Sequence, residues 1–257
     1  MPSIMGAFMM NHWVKNDTDT MRIGVEMKSP LGIDTSLKLE PEYPRQGLLP
    51  NLITDFGNSL CVGDVINSNK RYSNPIEYVG HKSIYTYQKH LYPGFPDAWS
   101  MNHTRMVLGK FRPAGCSPDR EFTLVFEWAS PTARISYLQG WMLCPSYARI
   151  YRNDKIHTYA KTNPEVAYDV LETAMSHSGK LYDYVQLLGI GLGLKWLQLG
   201  ERYEVCSSGV REILEKHFPF VAPLFPNLEV WQTPPAAFAC HPETWSEVSY
   251  NGANGHV

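Results

Sequence analysis

Residues 201–210, ERYEVCSSGV, run directly into an apolar-periodic segment, REILEKHFPF. A cysteine followed by two serines and a glycine therefore stands where a helix can begin. A thiol nucleophile needs a lowered thiolate pKa, a base within hydrogen-bond reach and a third group to orient that base. A helix start supplies the first, because its N–H groups and dipole favour an anion, and the same groups can build part of an oxyanion hole. Cys206 meets that condition on this reading, and the small Ser207 beside it suits the first turn of a pocket-lining helix. The plainer alternative is a small buried residue, the commoner fate of a free cysteine.

The base must come from nine histidines. In NHTRMVLGKF, Thr104, Met106 and Leu108 alternate with His103, Arg105 and Val107, the period of a strand. After a turn at RPAGCSPDRE, FTLVFEWAS alternates in the same way, with Leu124, Phe126 and Trp128 on one face and Val125 and Glu127 on the other. A hairpin follows, with its strands about 4.8 Å apart, so His103 and Glu127 touch if their faces coincide. A carboxylate there fixes the imidazole tautomer, as the third member of a triad does. The competing readings are a strand-edge glutamate with a turn histidine, and His81 in VGHKSIY as the base instead.

These residues need elements to hold them. Residues 1–50, punctuated by Pro30, Pro41, Pro44 and Pro50, read as an irregular N-terminal extension. SLCVGDVINS gives a short strand that turns at Gly63 and Asp64. The polar, Tyr- and Asn-rich stretch to Trp99 reads as a strand plus a surface loop, and YLQGWMLCPSYARIYRN continues the sheet. From TNPEVAYDVLETAMSHSG the period becomes helical, with Thr162 or Asn163 as the cap, Pro164 in the first turn and Gly179 closing the end. LYDYVQLLGIGLGLKWL is a second helical stretch. The third follows Cys206, with Val210, Ile213 and Leu214 as its apolar face. TPPAAFACHPETWSEV returns to the surface and residues 251–257 form a loose tail. Strands first and helices after make the class α+β, with the main domain at 51–250. GIGLGLKW fits neither glycine-rich nucleotide motif, since no strand precedes it.

Composition narrows the function classes. Net charge is −2, from 23 basic and 25 acidic residues, so no global field recruits nucleic acid or an anionic membrane. Five cysteines at wide, irregular spacing, with no C-x-x-C pair, suggest free thiols rather than a disulfide framework or a zinc site. A set of His81, His90, His103 and Cys116 lacks ligand spacing on a defined element, and neither a metal nor a cofactor is expected. The first residues lack the basic region and long apolar run of an export signal, and no stretch reaches the roughly 20 apolar residues of a span. The expected setting is the cytoplasm or an assembled particle.

The order GDVI (63–66), NHTRMVLG (102–109), VFEWASP (125–131), LYDYVQLLG (181–189), RYEVCSSGV (202–210) and TPPAAF (233–238) resembles the circularly permuted NlpC-type, papain-like cysteine hydrolase and acyltransferase family. That family includes the YiiX-like bacterial proteins and, more distantly, lecithin:retinol acyltransferase. The resemblance spans residues 55–248 through short, degenerate pieces in a shared order. It implies an antiparallel sheet packed against C-terminal helices. His103 then matches the base, Glu127 the orienting residue and Cys206 the nucleophile, with Tyr182 and Asp183 lining the pocket. Asn102 stands where the family has serine, and Ser208 where it often has an acid, which bears on substrate class. The implied function is a thiol-dependent hydrolase or acyl transferase acting on amide or ester bonds of a peptidoglycan peptide or acylated small substrate. The alternative is a non-catalytic structural or binding component on the same fold, for instance in a bacteriophage particle, since folds host several functions.

Overall fold

The computed structural model describes residues 59–69, 75–111, 122–128, 132–138, 140–143, 148–194 and 203–248, together with strand backbone at 13–15, 21–28 and 34–38. Its centre is a six-stranded antiparallel sheet. The strands are β4 (Val65–Ser68), β5 (His103–Phe111), β6 (Phe122–Trp128), β7 (Ala133–Tyr137), β8 (Ala148–Arg152) and β11 (Ser246–Glu247), in the spatial order β11-β8-β4-β5-β6-β7. The helices are α1 (Pro75–Leu91), α2 (Asp154–Thr162), α3 (Val166–His177), α4 (Tyr184–Leu192) and α5 (Cys206–His217). Two short parallel strands, β9 (Leu181–Tyr182) and β10 (Tyr203–Glu204), precede α4 and α5. The class is α+β, and most of the helical chain follows the sheet and packs on it.

The alternation of β5 and β6 sorts the core into two faces. Val65, Met106, Phe126, Trp128 and Ile135 join Val210, Ile213 and Leu214 of α5 in the larger core cluster. Ile66, Val107 and Val125 form a second cluster on the other face. Full burial of each α5 apolar side chain stabilises by about 1.5–3 kcal/mol, enough to fix the helix on the sheet. The close approach depends on Gly209. A Cβ built there would run into the indole ring of Trp128, which packs edge-on against Phe126 with centroids 4.6 Å apart.

The turn into β4 depends on Gly63, whose φ of +87° suits a residue without a side chain. Asp64 follows, with its Oδ2 accepting from Cys61 N at 2.8 Å and its Oδ1 from Arg152 Nε at 2.8 Å. The GDVI segment thereby locks β4 to β8.

Five sequence expectations change, the first being the return to the surface read at TPPAAFACHPETWSEV, where Thr233, Pro235, Ala236, Ala237, Phe238 and Trp245 are buried against the core. The stretch read as a strand plus loop is the helix α1. Its buried positions are Gly80, His81, Ile84 and Gln88, helically spaced but mostly not apolar, so the pattern is masked. Gln88 is satisfied rather than solvated: its Nε2 donates to the carbonyls of Trp99 (2.9 Å) and Met101 (3.0 Å), and its Oε1 accepts from Ala236 N (2.9 Å). An additional helix, α2, precedes the expected one, capped by Asn153 Oδ1, which accepts from Lys155 N and Ile156 N. Asn163 is then the C-cap of α2, and α3 starts at Val166, beyond Pro164. Within residues 1–50, read as irregular, β1 (Trp13–Lys15), β2 (Met21–Lys28) and β3 (Asp34–Lys38) form an antiparallel sheet. The turn at 112–121 and the tail at 251–257 lie outside the described residues. Among those described, no helix is long and apolar enough to cross a membrane.

Gly209→Ala tests the packing. Alanine is intrinsically the better helix residue by about 0.8–1.0 kcal/mol, yet overpacking against Trp128 costs about 1–3 kcal/mol. Denaturant unfolding should show a net loss of stability; a gain would mean that the indole yields without cost.

Candidate functional site

Glu127 is fully buried, and both of its oxygens are engaged. Oε2 lies 2.7 Å from His103 Nε2 and 2.6 Å from Arg105 Nε; Oε1 lies 2.7 Å from Arg134 Nε and 2.6 Å from Arg134 Nη2. The sheet register builds this cluster. Glu127 is directly opposite Arg105 on one side and Arg134 on the other, and His103 is one same-face position beyond Arg105. Arg105 is itself held, its Nη1 donating to Ser68 Oγ on β4 at 2.8 Å.

Burial alone pushes the Glu127 carboxyl up, but the Arg105 guanidinium, the His103 hydrogen bond and charge, and Arg134 together hold it well below the usual carboxylate range. An ionised carboxylate only accepts, so the proton on His103 must sit on Nε2. In the neutral ring Nδ1 is then the basic nitrogen. The pair therefore has the tautomer that a general base working through Nδ1 requires.

Cys206 is the first residue of α5, and Val205 provides no side-chain cap. Its sulfur accepts from the Tyr182 hydroxyl at 3.9 Å. The parallel pairing of β9 with β10 brings these two together: Glu204 is opposite Tyr182, and Cys206 follows two residues later. The next residues are tied down. Ser207 Oγ donates to the Thr233 carbonyl at 2.6 Å, and Gln186 Nε2 donates to Ser208 Oγ at 3.4 Å and to the Trp231 carbonyl at 3.1 Å. Asp183 caps α4, its Oδ1 accepting from Gln186 N at 2.7 Å, which gives it a structural duty beside the pocket-lining one expected. Asn102 Nδ2 donates to Asn69 Oδ1 at 3.5 Å, immediately before the base strand.

The structure thus brings His103 and Glu127 into contact, and Tyr182 to Cys206. The two pairs approach the same end of the sheet. Glu127 and Trp128 end β6 there, β5 starts there with His103, and Thr132 beside β7 bridges to Leu181 of β9. The body of α5 and Cys206 belong to the Trp128 face, whereas His103 and Glu127 belong to the other, so the two pairs share one end of the sheet but not one face. His81, the rival base, is buried on α1 rather than on a strand. His90 is on the exposed side of α1, Cys116 lies outside the described residues, and among the described residues no three metal-ligating side chains cluster. Of the other described thiols, burial pushes Cys240 up to about 12, and burial with Asp64 raises Cys61.

Sequence reading missed Arg105 and Arg134 as site residues. The signal was present for Arg105, which alternates onto the face of His103, whereas Arg134 comes across from Glu127 through the β6–β7 register. No family model matches the chain, and neither does any curated protein.

The depressed Glu127 carboxyl sets an acid limb of stability. Its contribution is complete above the unfolded glutamate value of about 4.3 and is lost as pH falls from there through the lower folded value. Glu127→Gln leaves Arg105 buried without its anion and should cost about 3–5 kcal/mol at neutral pH. It should also flatten the fall in stability with acid. Urea midpoints between pH 7 and pH 3 read both effects.

Proposed function

We propose that the chain is a thiol-dependent hydrolase or acyl transferase with a circularly permuted papain-like fold, in which Cys206 is the nucleophile, His103 the base and Glu127 the orienting residue. The observation that carries this reading is the buried His103–Glu127 pair at the end of the sheet where a cysteine opens α5. His103 Nδ1 takes the thiol proton, and the Cys206 thiolate adds to an amide or ester carbonyl. The tetrahedral oxyanion is stabilised by N–H groups at the start of α5. The imidazolium returns the proton to the leaving amine or alcohol as the bond breaks, leaving an acyl thioester. Water or an amine, deprotonated by the same imidazole, then releases the acyl group. The substrate is a peptidoglycan-type peptide or an acylated small molecule, by the resemblance of the ordered motifs.

One observation favours a second reading, a non-catalytic component of a larger assembly on the same fold. Cys206, Ser207, Ser208, His103 and Glu127 each expose 1% or less of their surface. Side chains buried to this degree can serve as structural nodes alone.

Alkylation separates the two. The catalytic reading expects Cys206 to react with iodoacetamide at mildly acidic pH, where an ordinary thiol of pKa about 8.5 is protonated, and to lose that reactivity in His103→Ala. Cys206→Ser should keep the thermal midpoint and abolish turnover on peptide and acyl-ester panels. A Cys206 that stays unreactive until the protein unfolds, with a serine variant destabilised by about 1–3 kcal/mol, would establish the structural reading instead.

A further inference from the structure

Two arginines on one carboxylate are more than a dyad needs, and their arrangement is specific. Arg134 places both Nε and Nη2 on Oε1, at 2.7 and 2.6 Å, while Oε2 takes the His103 hydrogen bond and an ion-pair contact with Arg105, whose Nε lies 2.6 Å away without hydrogen-bond alignment. We infer that Arg105 and Arg134 are positioning residues of the thiol site: together they fix the rotation of the Glu127 carboxylate, so that Oε2 alone faces His103 and the imidazole is held with its proton on Nε2. The inference rests on the thiol reading for its use in catalysis, though the geometry it describes belongs to His103 itself.

The argument is mechanical and electrostatic. A carboxylate on a glutamate side chain turns freely unless both oxygens are held, and here each oxygen has its own guanidinium. Arg105 does not drift, because Ser68 Oγ receives its Nη1. Arg134 comes from β7 through the register that pairs it with Glu127. Among the described residues, the charged groups facing Glu127 are His103 and Arg105 from β5 and Arg134 from β7, while β4 contributes the uncharged Ser68. Two guanidinium charges against one carboxylate leave a local excess of positive charge beside the imidazole. A third cation, the imidazolium, is then harder to form than beside an isolated glutamate. The clamp accordingly disfavours an imidazolium standing alone, so that His103 takes its second proton only with a thiolate facing Nδ1 to balance it.

Arg134 is the residue to change, because about a third of its side chain is exposed and its loss leaves the buried Arg105–Glu127 pair in place. Nitrogen-edited NMR of the His103 ring in the full chain reads both tautomer and titration midpoint. Wild type should show Nε2–H in the neutral ring. Arg134→Gln should raise the His103 midpoint by roughly one unit and mix the tautomers, and Arg134→Lys, which keeps the charge, should return the midpoint toward wild type. A merely structural arginine would lower the thermal midpoint in both variants and move neither ring signal. An unchanged midpoint and tautomer in Arg134→Gln overturns the inference. If the ring signals shift while Cys206 resists alkylation, the clamp stands and the thiol reading falls. If Cys206 reacts in a His103-dependent way while the ring signals do not move, the thiol reading stands and the clamp falls.

Discussion

A carboxylate between Phe126 and Trp128, with no exposure to water, is tolerable only when both oxygens are hydrogen-bonded and its charge is met by a cation. Glu127 meets that requirement by drawing on its two neighbouring strands. Arg105 and His103 come from β5 and Arg134 from β7, while Ser68 on β4 holds Arg105 in turn. One charge thereby fixes the relative register of four strands at one end of the sheet. A slip of one residue would turn the glutamate toward the Trp128 face and the apolar core, which is why the pairing is strongly specified.

The same end of the sheet receives the helical half of the chain. β9 and β10 lie side by side there, and each leads within two residues into a helix: α4, capped by Asp183, and α5, opened by Cys206. Gly209 lets α5 settle on Trp128, the neighbour of Glu127 on the opposite face. Packing on one side of β6 and ion pairing on the other are thus adjacent in sequence.

The fold was legible where apolar residues recur with a clean period. β5, β6 and the buried face of α5 at Val210, Ile213 and Leu214 follow directly from alternation and helical spacing. α1 was hidden because its inward positions include glycine, histidine and glutamine, and Gln88 owes its burial to carbonyl partners distant in the sequence. The boundary between α2 and α3 was misplaced because Asn163 suits either end of a helix, and only the Asn153 cap decides which. At the site, hairpin alternation was enough to pair His103 with Glu127. The arginines carry no role on alternation alone: Arg105 reads only as a face-mate of His103, and Arg134 comes opposite Glu127 only through the β6–β7 register.

What joins the His103–Glu127 pair to Cys206 is the central claim, and the thiolate itself reports it most directly. The ultraviolet absorbance of a thiolate can be followed as pH falls, in the native protein and with no substrate, using Cys206→Ser to subtract the other cysteines. The account expects a Cys206 thiolate that persists below about pH 7, as an ion pair with the imidazolium, and that retreats to an ordinary thiol titration in His103→Ala. An absorbance that appears only in alkali, and equally with and without His103, would contradict it.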